Sequence, residues 1–148
     1  MKQIAASFAI LAALAFVSCA NEQKKTEPVK ADKIEEGWIS DNEFRVKVSG
    51  ETELSSTDQE SLQKASEAAA VKKARETVVK NFVTTRMKQS QGAGTYAVIA
   101  LSIDRDFREI IEGGKIIVKT FDNGDKKCSI LYSIEKSGLK QMVENQKK

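Results

Sequence analysis

The residue whose position points most clearly to chemistry is Cys19, at the end of an apolar leader. Lys2 supplies a positive charge, and an uncharged, largely apolar segment over 4–17 follows it. This arrangement is typical of a secretory signal. A membrane-spanning helix needs about 20 apolar residues, whereas this segment ends at Cys19, and after Ala20 the polar residues 21–25 follow. The sequence therefore predicts an exported protein with a thiol at the end of its leader.

The motif Phe16-Val17-Ser18-Cys19 resembles a bacterial lipobox in the looser form of spirochaete lipoproteins. Its two central residues fit the pattern, and Phe16 stands where leucine is usual. The resemblance implies that a signal peptide, 1–18, is cleaved before Cys19, whose thiol then carries diacylglycerol and whose new amino group is often acylated. Ala20 is not the aspartate that commonly retains lipoproteins at the inner membrane. The resemblance therefore favours a lipid-anchored protein of the outer membrane, on its periplasmic or its surface face.

The composition narrows the chemistry of the remaining chain, which has two cysteines and no histidine. Every Ser-His, Cys-His and histidine-ligated metal arrangement is thereby excluded. Glu51 and Glu53 are the candidates for carboxylate catalysis, but no spacing brings a second carboxylate to them in an apolar setting. With Cys19 acylated, Cys128 lacks an intramolecular disulfide partner, and its alternating surroundings predict a buried thiol. We expect no catalytic residue, no metal and no cofactor.

Four polar side chains are candidates for binding a ligand: Arg75, Tyr96, Lys119 and Tyr132. Arg75 lies near the apolar stripe of a predicted long helix, Tyr96 begins a second helix, and Lys119 and Tyr132 lie on predicted strands. A crevice between the long helix and the sheet edge, lined by these residues, would suit a small ligand or a peptidoglycan fragment. The alternative interpretation places the same side chains in the core and at its rim.

The distribution of charge limits the class of partner, and the composition along the chain indicates its domain organisation. Removal of 1–18 from the 148-residue chain leaves 130 residues, with 23 of the 24 basic side chains and all 21 acidic ones. Because the basic residues occur as isolated pairs, we expect no nucleic-acid partner. Residues 19–37 contain the single proline and lack apolar periodicity, so they predict a flexible tether. The rest, 38–148, is long enough for one domain.

Three segments predict an antiparallel sheet, at 43–52, 115–121 and 126–135. The first alternates apolar and polar residues from Phe44 onward, which is typical of a half-buried strand. The other two are joined by a turn that contains Asn123-Gly124, a strong hairpin signal. Either a two-residue or a three-residue loop could join these two strands. We prefer a three-residue loop, which pairs Val118 with Cys128. The buried face of the hairpin is then made up of Ile116, Val118, Cys128, Ile130, Tyr132 and Ile134.

Three segments predict helices, at 58–89, 96–112 and 137–145. Thr57 and Glu60 have the spacing of a capping box at the start of the first helix. Its expected buried face holds Ala68, Val71, Val78 and Phe82, with Ala74 and Val79 on the flanks. The second helix follows from the spacing of Tyr96, Ile99, Ile103, Phe107 and Ile110, although 96–103 alone also fits a strand. The predicted class is α+β, with a three-stranded antiparallel sheet.

The combination of a Val46-x-Val48-x-Gly50 strand, a helix with Ala74-Arg75 and a late Leu131-Tyr132-Ser-Ile134 strand is similar to a known domain. It resembles the twenty-kilodalton bacterial lipoprotein family and the N-terminal domain of the flagellar assembly protein FlgT, over about 38–139. The resemblance implies a long helix across an antiparallel sheet, envelope localisation and no catalytic residues. We expect a lipoprotein anchored through Cys19, which binds an envelope or host protein of unknown identity.

Overall fold

The computed structural model describes residues 35–89 and 95–145. The predicted signal peptide, Cys19 and all but the last three residues of the predicted tether lie outside the described residues. Within them the chain forms four strands and three helices, so the predicted α+β class is confirmed. In chain order the elements are β1 (Gly37–Ser40), β2 (Glu43–Glu51), α1 (Gln59–Gln89), α2 (Tyr96–Glu112), β3 (Lys115–Asp122), β4 (Lys127–Glu135) and α3 (Leu139–Glu144).

The sheet has four strands rather than the predicted three, in the order β1-β2-β4-β3, and every neighbouring pair is antiparallel. The additional strand, β1, is only four residues long and begins at Gly37, the last residue of the predicted tether. Trp38 lies opposite Phe44 on β2, and the pairing is irregular between Trp38 and Ser40. So short a strand, with two apolar residues, gives no recognisable period-two pattern.

The predicted register of the late hairpin is wrong. Cys128 lies opposite Phe121 rather than Val118, and Val118 lies opposite Leu131. The loop is longer than predicted because three consecutive residues, Asn123 to Asp125, take a left-handed conformation with φ of 53°, 61° and 66°. The register shifts again between Ile116 and Val118. Val118 is therefore on the face of the sheet away from the helices, and it is 41% exposed.

The buried side chains of α1 recur at every fourth residue: Leu62, Ser66, Ala70, Ala74, Val78, Phe82 and Arg86, with Val83 beside them. Such a row is inclined to the helix axis, so the line of contact winds around α1 as the helix crosses the sheet. The predicted face assumed a stripe with a period of 3.6 residues. It is correct for Val78 and Phe82 and wrong for Ala68, which is exposed, and Val71 is half-buried.

Small side chains bring α1 unusually close to β2. A Cβ atom added at Gly50 would lie 2.1 Å from the backbone nitrogen of Ala70, so the two backbones are in direct contact. At the start of α1, the carboxylate of Asp58 accepts a hydrogen bond from the backbone N–H of Ser61, 3.0 Å away. This cap lies one residue after the predicted Thr57. It also lowers the pKa of Asp58, chiefly through the Ser61 hydroxyl and N–H.

The core lies on one face of the sheet, between it and the helices. An aromatic cluster marks its centre: the rings of Trp38 and Phe82 stack at 5.6 Å, and Phe44 and Phe107 each meet Phe82 edge-on. Of the helices in the described residues, none is both long and apolar enough to cross a bilayer.

Candidate functional site

The two tyrosines predicted to bind a ligand lie in different environments. Tyr132, on β4, is 1% exposed, and its hydroxyl donates a 2.7 Å hydrogen bond to the backbone carbonyl of Ile111 near the end of α2. Tyr96 is 49% exposed at the start of the same helix. Because α2 has 17 residues, the two ends are separated by roughly 25 Å at a rise of ~1.5 Å per residue.

Arg75 lies on α1, and Lys119 lies on β3. One guanidinium nitrogen of Arg75, Nη2, donates to the backbone carbonyl of Glu112, 3.1 Å away, at the C-terminus of α2. Lys119 on β3 reaches α1, where its Nζ lies 2.8 Å from the Glu67 carboxylate and 5.7 Å from the ring centre of Phe121. The Glu67 carboxylate raises the pKa of Lys119. Arg75 therefore anchors α2, and Lys119 joins β3 to α1.

The structure brings some of the predicted residues together but not all four. Arg75 and Tyr132 contact consecutive carbonyl groups, those of Glu112 and Ile111, at the end of α2. Both therefore interact with the negative end of the helix dipole. Lys119 contacts α1 about two turns before Arg75, and Tyr96 is at the far end of α2. Of the four, Arg75 lines an open groove along α1, and Lys119 contacts Glu67 in its lining.

An open groove of about 600 Å³ runs along α1 beside these two residues. This α1 groove is lined by seven residues of the helix: Lys64, Glu67, Ala68, Val71, Lys72, Arg75 and Glu76. Ala68 and Val71 form its apolar part. Two of its charges are neutralised locally, since Lys64 pairs with Glu60 at 2.6 Å and Glu67 pairs with Lys119.

Sequence reasoning missed Arg86, the most deeply buried charged residue of the described chain, at 6% exposure. Its Nε donates to the carbonyl of Val143 at 3.0 Å, its Nη1 donates to the hydroxyl of Ser102 at 3.1 Å, and its guanidinium lies 5.6 Å from the ring centre of Phe107. Burial lowers the pKa of Arg86, and the charge of Asp106 opposes that shift. Arg86 thus joins α1, α2 and α3.

The remaining thiol is enclosed in the core. Cys128 is 0% exposed, and burial, followed by the charge of Glu67, raises its pKa. A raised pKa keeps the thiol protonated and unreactive. Nowhere in 35–89 and 95–145 do three or more Cys, Asp and Glu side chains form a group suited to a metal ion. What the groove offers chemically is non-covalent binding, through cations next to an apolar surface.

Comparison of the chain with protein-family models, with curated proteins and with solved structures gives no match. The proposed function therefore rests on the sequence and on the geometry of the described residues.

Proposed function

We propose that this chain is a lipid-anchored lipoprotein of the bacterial cell envelope that acts by binding, as a structural, assembly or host-contact module. The observation that carries the proposal is Cys19, which directly follows the apolar segment 4–17 in a lipobox-like motif. The acylated thiol is the membrane anchor, and the domain from β1 onward is the part that meets a partner. The partner is an envelope or host protein, not a nucleic acid.

The physics of acyl chains supports the anchor. A single chain binds a bilayer only marginally, whereas two or three hold a protein firmly. A Cys19 that carries diacylglycerol and an N-acyl group such as palmitate would therefore fix the protein to one leaflet. With Ala20 after the cysteine, the favoured membrane is the outer one.

The test of the anchor is the fate of the leader in producing cells. We expect globomycin to cause unprocessed precursor to accumulate, and Cys19→Ser to abolish both processing and partition into detergent. Mass spectrometry of the mature N-terminus should find an acylated cysteine. Cys128→Ala is the matched control, because it removes the other thiol and should leave processing unchanged. An unacylated mature cysteine, or normal processing of Cys19→Ser, would refute the proposal.

A second candidate function is the binding of a small ligand or a peptidoglycan fragment. The observation that favours it is the α1 groove, where Arg75 lies beside an apolar surface and Lys119 reaches Glu67. A pulldown of the mature protein on insoluble peptidoglycan tests it, with wild type compared with Arg75→Ala. Equal retention of the two proteins would count against this groove as the binding site.

A further inference from the structure

The α1 groove lies where the fold departs from the predicted buried stripe of α1. Ala68 and Val71 belong to the apolar stripe of α1, yet Ala68 is exposed and Val71 only half-buried. With Lys64 and Arg75 they are spaced four, three and four residues apart, which places all four in one line on the helix surface. The fold thus leaves Ala68 open and the outer part of Val71 accessible, while the rest of Val71 packs against the core. Sequence rules that fail in this way are expected at functional sites.

The size of the groove is that of a ligand site. Its volume of about 600 Å³ lies within the range of roughly 300–1,000 Å³ that is usual for small-molecule pockets, but all seven lining residues lie on α1, so a ligand would be held against one side only. The apolar part is shallow, because it consists of one alanine and one valine. It therefore suits small side chains such as methyl groups rather than an aromatic ring.

The charges at the groove define the complementary chemistry. Within 35–89 and 95–145, no carboxylate lies within ion-pair distance of Lys72 or Arg75. Glu67 is occupied by Lys119, which leaves Glu76 as the remaining groove anion without an ion pair there. Two cations next to an apolar surface complement a ligand that carries carboxylates.

Arg75 is held in place for such a contact. Its Nη2 is fixed on the carbonyl of Glu112, and its Nε is buried without a hydrogen-bond partner in the described structure. A guanidinium has five N–H donors, and because the Nε donor is buried, the terminal Nη groups are the ones left for a ligand after the bond to Glu112. Because the anchor at Glu112 restrains the side chain before any ligand arrives, less conformational entropy is lost on binding.

We propose that the α1 groove binds the stem peptide of peptidoglycan, a short peptide that contains alanine residues and free carboxylates. Its methyl groups pack on Ala68 and Val71, and its carboxylates pair with Lys72 and Arg75. The inference rests on the envelope location proposed above, since that location brings the domain to the cell wall. It also names the ligand class of the second candidate function.

The experiment measures binding of a fluorescein-labelled tetrapeptide, L-Ala-γ-D-Glu-L-Lys-D-Ala, to the mature lipoprotein in detergent by fluorescence anisotropy. Because exposed ion pairs are weak, we expect a Kd on the order of 0.1–1 mM, increasing with salt. Ala68→Trp fills the groove and should raise the Kd about tenfold, which corresponds to ~1.4 kcal/mol. Lys72→Glu should raise it about fivefold through charge repulsion.

The matched control is Lys47→Glu, an exposed lysine on β2 that makes the same change of charge outside the groove. We expect no change in Kd for this variant. Ala68 and Lys72 are both exposed, so the variants should keep the wild-type circular dichroism spectrum and melting temperature. Lys72→Glu also tests the site with the groove volume almost unchanged, should Ala68→Trp unfold the domain.

Each other outcome contradicts a different statement. Binding that Ala68→Trp and Lys72→Glu leave unchanged would overturn the assignment to this groove and leave peptidoglycan binding itself standing. No binding in a protein whose Cys19 is shown to be acylated would overturn the inference and leave the lipid anchor standing. Equal affinity for the all-L peptide acetyl-Ala-Glu-Ala-Ala would overturn the cell-wall stem peptide as the ligand.

Discussion

Arg75 and Arg86 lie eleven residues apart on α1, and each donates to backbone carbonyls near the C-terminus of a shorter helix. Arg75 contacts Glu112 at the end of α2, and Arg86 contacts Val143 near the end of α3. Their surroundings differ. Arg86 is buried and also bonds Ser102, whereas Arg75 is half-buried, borders the α1 groove and has a buried Nε without a hydrogen-bond partner in the described residues.

The difference in burial predicts that the same kind of hydrogen bond, from an arginine to a backbone carbonyl, contributes differently to stability at the two positions. A guanidinium removed from water must have its donors satisfied by the protein, and its loss leaves buried carbonyl groups unpaired. A guanidinium that remains at the surface contributes little to stability. Arg86 is therefore expected to hold the helices together, and Arg75 is expected to contribute less to stability.

Replacing Arg86 should have the largest effect on stability. Arg86→Met keeps much of the apolar volume but leaves the carbonyl of Val143 and the hydroxyl of Ser102 without their donor. We expect a loss of about 3 kcal/mol in the free energy of unfolding, since buried hydrogen bonds to charged groups contribute ~1.5–3 kcal/mol. Urea denaturation of the mature protein checks this value.

The control for that measurement is Arg86→Lys, which keeps the charge but not the planar fork of donors. It should unfold between the wild type and Arg86→Met. If Arg86→Met unfolded at the wild-type urea concentration, burial would not separate the two arginines, and the comparison would fail.

Tyr132→Phe tests the other contact at the end of α2 and should have an intermediate effect. It removes a hydroxyl that donates to the Ile111 carbonyl in the core. We expect a loss of about 1–2 kcal/mol, because the carbonyl is left buried without that donor. The control is Tyr96→Phe at the exposed start of α2, for which urea denaturation should show no change. A larger loss for Tyr96→Phe than for Tyr132→Phe would contradict the assignment.

The sequence predicts what depends on local periodicity. The existence of α2 follows from the spacing of Ile99, Ile103 and Phe107, which are all buried, whereas the predicted Tyr96 is exposed and Ile111 is buried in place of the predicted Ile110. Prediction from the sequence fails for features that depend on how the helices and strands pack together. The inclined contact line of α1 leaves Ala68 exposed, and the left-handed residues beginning at Asn123 shift the hairpin register.

The same limit applies to the candidate site. Arg75 was found because it lies beside the apolar stripe, and it does border the groove. The alternating pattern places Tyr132 on the buried face of its strand, where it lies, but it does not predict that the hydroxyl bonds the Ile111 carbonyl instead of lining the groove. Arg86 was missed because a charged residue is expected at the surface. Its spacing of four residues from Phe82, and eight from Val78, was the signal available.

A third arginine, Arg45, provides an intermediate case on the sheet face away from the helices. Its Nε lies 2.6 Å from the carboxylate of Glu43, which also accepts a hydrogen bond from Ser133. These contacts, Arg45 first, hold the pKa of Glu43 below its ordinary value of 4.5. A lowered carboxyl pKa adds stability that is present above the unfolded-state pKa and is lost as the pH falls through the lower folded-state pKa.

The prediction concerns the pH dependence of unfolding. Glu43→Gln should lower the free energy of unfolding at pH 7 by less than about 1 kcal/mol. The gap between the variant and the wild type should then close as the pH falls below 4.5, the ordinary value. Urea denaturation at pH 7, 5, 4 and 3 measures it. A gap that widened on acidification would show that the pair does not favour the ionised carboxylate.

Arg75→Met should have the smallest effect, below about 0.5 kcal/mol in the free energy of unfolding. The variant loses the hydrogen bond to Glu112 but also removes a buried Nε that has no hydrogen-bond partner in the described structure, so the two changes offset each other. Eleven residues along a helix correspond to roughly 16 Å. The effects of Arg75→Met and Arg86→Met should therefore add in the double variant, within ~0.5 kcal/mol. A loss at Arg75 equal to that at Arg86 would mean that this side chain, too, is part of the framework, and the α1 groove would lose the cation that distinguishes it.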